Sequence, residues 1–76
     1  MYSYNIAKNA DKKAFNHACN LIESKTKGIE KEELLEDVDG TQIQIYHAPG
    51  GKITVFNDYE VDAVYIDSEF DLTNII

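Results

Sequence analysis

Between Asn9 and Lys27 the apolar side chains fall at Ala14, Phe15, Ala18, Cys19, Leu21 and Ile22. That three-and-four spacing places them on one face of a helix. Lys12, Lys13, Asn16, Asn20 and Glu23 take the opposite face. Asn9 is the expected cap, because its side-chain oxygen can accept an orphan backbone N–H. Lys25 and Lys27 suit the negative end of the helix dipole, and Gly28 can supply a left-handed stop. Upstream, Tyr2-Ser3-Tyr4-Asn5-Ile6 alternates as a short strand does, with Tyr2, Tyr4 and Ile6 on one side.

After Gly40 the period changes to two. Ile43 and Ile45 alternate with Gln42, Gln44 and Tyr46; Ile53 and Val55 alternate with Thr54 and Phe56; Val64 and Ile66 alternate with Ala63, Tyr65 and Asp67. These segments predict three successive strands. Ala48-Pro49-Gly50-Gly51 has the chemistry of a tight turn, its second glycine free to take a left-handed bulge position. A plain loop pairing His47 with Lys52 would set Ile45 opposite Thr54. One extra loop residue would bring Ile45 opposite Ile53 or Val55 and keep the isoleucines on the helix side, so a bulge is expected. Asn57-Asp58-Tyr59-Glu60 makes the next turn, into a last strand that could run to Leu72. Residues 29–38 read equally as helix, from their Glu, Lys and Leu content, or as strand, from the hairpin signal Asp39-Gly40.

The predicted architecture is α+β: one principal helix packed on a small antiparallel sheet, a meander of three to five strands, in a single domain spanning residues 1–76. The expected core is Phe15, Ala18, Cys19, Ile22, Ile43, Ile45, Ile53, Val55, Val64 and Ile66. On that alternation Tyr46, Phe56 and Tyr65 project from the side of the sheet away from the helix, as a cross-strand aromatic row.

Charge changes the picture most. Residues 1–31 hold six Lys against three acids, and residues 32–76 hold one Lys against eleven. The net charge of −7 and the absence of arginine argue against direct binding to nucleic acid or to an anionic membrane surface, since both require positive side chains at phosphate. The single cysteine, Cys19, rules out an intramolecular disulfide and a cysteine-based zinc site. No segment approaches the roughly 20 apolar residues of a spanning helix, and the N-terminal residues lack a basic-then-apolar leader, so a cytoplasmic protein is expected.

Catalytic chemistry finds little support. His17 and His47 are the only imidazoles; His17 and Cys19 point to different sides of the helix, against a nucleophile pair. Neither a Gly-x-Ser-x-Gly elbow nor a phosphate-binding glycine loop occurs. Asp58, Glu60, Asp62 and Glu69 match the first, third, fifth and twelfth places of a calcium loop, but Ala63 stands where glycine is required. A non-enzymatic protein without cofactor or metal is therefore expected.

The residues selected as partner-binding are Tyr46, Phe56 and Tyr65 together with Asp67, Glu69 and Asp71. On one continuous strand the three carboxylates would repeat every ~6.6 Å on the face of Tyr65, a pitch resembling that of nucleic-acid phosphates. The function expected is that of an inhibitor or immunity-type antagonist, whose acidic, aromatic sheet face engages a basic partner, one that could itself handle nucleic acid. The alternative is a structural homodimer that pairs its aromatic faces.

Overall fold

A computed structural model describes residues 1–76. The chain folds as β1 (Tyr2–Ala7), α1 (Lys12–Lys25), β2 (Glu30–Lys31), β3 (Leu35–Glu36), β4 (Gln42–Ala48), β5 (Gly51–Asp58) and β6 (Ala63–Ser68). The six strands form one antiparallel sheet in the order β1-β6-β5-β4-β2, with β3 also paired to β4. Strands β4 to β6 are the expected meander. The chain enters by β1 beside β6, and α1 then crosses the sheet to deliver β2 to the opposite edge. This is the α+β fold that the change of period implies.

The helix begins later than the sequence suggests. Asp11, not Asn9, is its cap, with Oδ1 accepting the backbone N–H of Lys13 at 2.9 Å. Asn9 is engaged elsewhere. Its Nδ2 donates to Asp62 Oδ2, and the Ala10 N–H donates to Asp62 Oδ1, both at 2.8 Å. These bonds hold the Asp62 carboxyl below the usual carboxylate range. Asp62 itself sits in the left-handed region at φ 57°, where the short side chain of aspartate is better tolerated than most. Residues 29–38 contain no helix. They supply β2 and β3, and Asp37 to Thr41 close the turn into β4 through bonds from the Asp37 N–H to the Thr41 carbonyl and from the Gly40 N–H to the Asp37 carbonyl.

The hairpin between β4 and β5 decides which side chains are inside. Its loop is Pro49-Gly50, with Ala48 opposite Gly51, His47 opposite Lys52, Ile45 opposite Thr54 and Tyr46 opposite Ile53. The expected extra residue is not inserted, although Gly51 does adopt positive φ, at 139°. A one-residue difference in register exchanges the two faces of a strand. Ile43 and Ile45 consequently leave the core for the helix-distal face, and Gln42, Gln44 and Tyr46 turn under the helix.

The core is Phe15, Ala18, Cys19 and Ile22 from α1 against Tyr46, Ile53, Val55, Val64, Ile66 and Leu72. Each fully buried aliphatic side chain among them contributes about 1.5–3 kcal/mol relative to exposure. Leu72 reaches this layer because β6 ends at Ser68, short of the predicted Leu72, and the tail folds beneath the sheet. The Tyr4 hydroxyl accepts the Leu72 N–H at 2.8 Å and donates to Asp71 Oδ1 at 3.0 Å. No helix is long and apolar enough to cross a membrane.

Candidate functional site: the helix-distal sheet face

Alternation from the fixed β4–β5 register places Ile43 and Ile45 of β4, Thr54 and Phe56 of β5, and Tyr65 and Asp67 of β6 on the side away from α1. All six are partly exposed. No element of the chain covers them. At their centre Phe56 and Tyr65, directly opposite each other, stack with ring centroids 4.6 Å apart and an interplanar angle of 16°. Such a pair contributes about 0.5–1.5 kcal/mol beyond the area it buries. The Tyr65 hydroxyl donates to Asp58 Oδ2 at 3.1 Å, which fixes the ring. Partial burial, and then the Asp58 carboxylate, raise the Tyr65 hydroxyl above its ordinary pKa, so it stays a donor at neutral pH.

The predicted site residues divide. Phe56, Tyr65 and Asp67 share this face as expected. Tyr46 does not: it is 0% exposed beneath α1, and its hydroxyl donates to Glu23 Oε2 at 2.5 Å. Burial first, and the carboxylate second, push the Tyr46 hydroxyl far up. Nor do Asp67, Glu69 and Asp71 form a row. Asp67 accepts from Ser3 Oγ at 2.6 Å on β1. Glu69, already past the end of β6, turns to the β4–β5 hairpin and accepts the Lys52 N–H at 2.6 Å. Asp71 goes under the sheet with the tail, bonded to Tyr4 and to both the N–H and hydroxyl of Thr73. The regular acidic pitch, and the likeness to phosphate spacing that it carried, are lost because the strand stops at Ser68.

What remains is an uneven acidic surround. Of the carboxylates after Lys52, five (Asp58, Asp62, Asp67, Glu69 and Asp71) accept hydrogen bonds from neutral donors of the chain. Neutral donors orient a carboxylate without cancelling its charge. The Lys31–Glu23 ion pair and the contact between His47 and Glu32 lie outside this group, so no ion pair within the chain offsets its charge. Asp58, Asp62 and Glu69, three members of the calcium-loop count, accept from different segments, the β5–β6 turn, the β1–α1 loop and the β4–β5 hairpin, and no group of three His, Cys, Asp or Glu side chains converges. Cys19 is buried. Burial raises its thiol, which disfavours the thiolate.

Ile43 and Ile45 belong to the face and were missed. Loop length was the signal that could have found them: a two-residue connection dictates the plain register whatever the apolar pattern prefers. Comparison with family models, with curated proteins and with solved structures gives no match, so the reading of this surface rests on its geometry.

Proposed function

We propose that the chain is a non-enzymatic binding protein whose helix-distal sheet face docks on a basic protein. The uncovered patch of Ile43, Ile45, Phe56 and Tyr65 carries this reading. It has the composition of an interface centre, apolar and aromatic with charge at its margin. The charge selects the partner. Glu30 pairs with His47 at the β4 edge, Asp58 accepts from Tyr65, Asp67 stands opposite Thr54 and Glu69 meets the Lys52 N–H, while Lys52 is the one lysine in these strands on that side. Laying two copies face to face would bring like charges together. A basic surface meets the same carboxylates with attraction, which raises association rate, while burial of the two rings lengthens residence. The lone, buried cysteine is compatible with the reducing conditions of a cytoplasm.

The test is retention from a lysate at low and high salt by the intact chain, by Phe56→Ser and by Asp67→Lys, combined with sedimentation of the chain alone. The expected result is a basic protein retained at low salt, released at high salt and lost with either variant. A dimer of the chain that persists at high salt and is broken by Phe56→Ser would overturn the proposal in favour of self-pairing.

A further inference from the structure

A groove of about 550 Å³ lies on the other side of the sheet, between α1 and the β2–β3 edge. Helix and strand run alongside one another there. Asp11, at the start of α1, donates its N–H to Asn57 opposite Gln42, and Glu23, near the helix end, meets Tyr46. The far wall is raised by a bulge: three residues, Glu32 to Leu34, separate Lys31 from Leu35, where only Gln44 and Ile45 separate their partners Tyr46 and Ile43. One end is closed by Lys31 Nζ, which spans the groove to Glu23 Oε2 at 3.1 Å.

Gln42 and Gln44 line the groove from the sheet, beside Phe15 and Cys19 of the helix, and the orientations of their carboxamides are settled by their neighbours. The Asp11 N–H can only donate, so it fixes Asn57 Oδ1 as its acceptor, at 2.9 Å. Asn57 Nδ2 therefore points at Gln42 and donates to Oε1 at 3.1 Å. That leaves Gln42 Nε2 as a donor without a partner in the chain. Gln44 Nε2 donates to the Glu32 carbonyl at 2.5 Å, which leaves Gln44 Oε1 as an unpartnered acceptor. Gln42 is 9% exposed and Gln44 3%, yet neither free atom is sealed from solvent. Both therefore present hydrogen-bonding capacity into the groove from deeply buried side chains. Asn16 and Asn20, one helical turn apart, add two more carboxamides along the wall.

The spacing identifies the ligand class. Gln42 and Gln44 are ~6.7 Å apart along the strand, and Asn16 and Asn20 are ~6 Å apart along the helix. An extended polypeptide repeats its backbone donors and acceptors along one edge every two residues, at ~6.7 Å. Carboxamides, each with a donor and an acceptor, match peptide groups whatever the side chains. From Asn16 to Glu23 the groove measures ~10 Å, the length of about three extended residues.

We propose that this groove binds a short extended polypeptide segment by its backbone, through Asn16, Asn20, Gln42 and Gln44. The proposal is independent of the reading given to the distal face. It is tested by following the side-chain amide resonances of the intact ¹⁵N-labelled chain while N-acetyl-trialanine amide is added, with the same peptide N-methylated at its backbone amides as the comparison. Saturable shifts at Gln42, Gln44 and Asn20 are expected, weakened at least about fivefold by N-methylation and by Asn20→Ala, the effect of one lost hydrogen bond. Gln44→Met, which keeps the shape but loses the acceptor and also the bond to the Glu32 carbonyl, should weaken binding at least as much; Asn20→Ala, at an exposed helix position, serves even where Gln44→Met fails to fold. Equal response to both peptides, no saturation up to the solubility limit, or shifts confined to the backbone amides of Phe56 and Tyr65 in the same ¹⁵N spectra would overturn it. So would binding of uridine, a planar donor–acceptor ligand, by a groove that ignores the peptide.

Discussion

Replacing Tyr46 by phenylalanine leaves the ring under the helix and removes only the hydroxyl, whose chief partner is Glu23 and whose lesser one is the Cys19 thiol. That hydroxyl donates to a carboxylate at 2.5 Å, the charge-assisted kind of bond that contributes about 1.5–3 kcal/mol. Glu23 is not stranded by the change. Its side chain is 35% exposed, it keeps Lys31 at 3.1 Å, and water can replace the lost donor, so the lower end applies: about 1.5 kcal/mol. For a chain of this size that lowers Tm by roughly 6–12 °C. The bond also has a pH signature. Chiefly by accepting from Tyr46, Glu23 titrates below its ordinary value of 4.5 in the folded chain. A depressed folded pKa means stability that is present above the unfolded pKa and lost as pH falls through the folded one. The wild type should therefore lead Tyr46→Phe by the full margin at neutral pH, and the two should converge once acid protonates Glu23. Thermal unfolding of both proteins between pH 7 and pH 3 reads this directly, and NMR titration should find the Glu23 carboxyl in the variant moved up toward 4.5. Equal Tm at neutral pH, with partner binding lost instead, would refute the placement of Tyr46 beneath α1.

Three further substitutions probe the core, the face and the hairpin. Ile53→Ala, at a site with 0% exposure, should cost about 2–5 kcal/mol in chemical denaturation. Phe56→Ala, which loses a stacked pair on an open surface, should cost only ~1 kcal/mol; equal costs would mean that the distal side is a second core and is not available to a partner. Gly51→Ala should destabilise by about 1–3 kcal/mol, since the residue has φ 139° and an added Cβ would meet Glu69 Cβ at 2.9 Å. A neutral Gly51→Ala variant in the same assay would show that the hairpin can relax at no cost.

The helix and the meander were legible because their periods are long and consistent: Phe15, Ala18, Cys19 and Ile22 repeat over two turns, and Ile53, Val55, Val64 and Ile66 alternate as the buried face of neighbouring strands. The cap was misplaced for a local reason. Asn9 and Asp11 are both good capping residues, and what separates them is Asp62, 53 positions from Asn9, which takes the Asn9 side chain. The extent of β6 was overestimated because Glu69 and Asp71 continue the alternation in type while their carboxylates bond elsewhere, to Lys52 and to Thr73. Hydrophobic pattern describes what a position prefers; it does not contain the long-range donor that claims a side chain.

Strand β4 is where that distinction reaches function. By composition its apolar residues are Ile43 and Ile45, which argues for burying them, and its glutamines argue for solvent. The Pro49-Gly50 connection reverses both. Gln42 and Gln44 tolerate burial because Asn57 and the Glu32 carbonyl satisfy one end of each amide, so the usual penalty for an unpaired buried polar group is reduced. Ile43 and Ile45 are correspondingly left at a surface, where they widen the apolar area around Phe56 and Tyr65. Neither arrangement maximises the stability of the isolated chain. A strand that buries amides with unused bonding capacity and displays aliphatic side chains departs from local consistency, and such departures concentrate where a protein meets something else. Both surfaces for which binding is proposed are built on the two faces of this one strand.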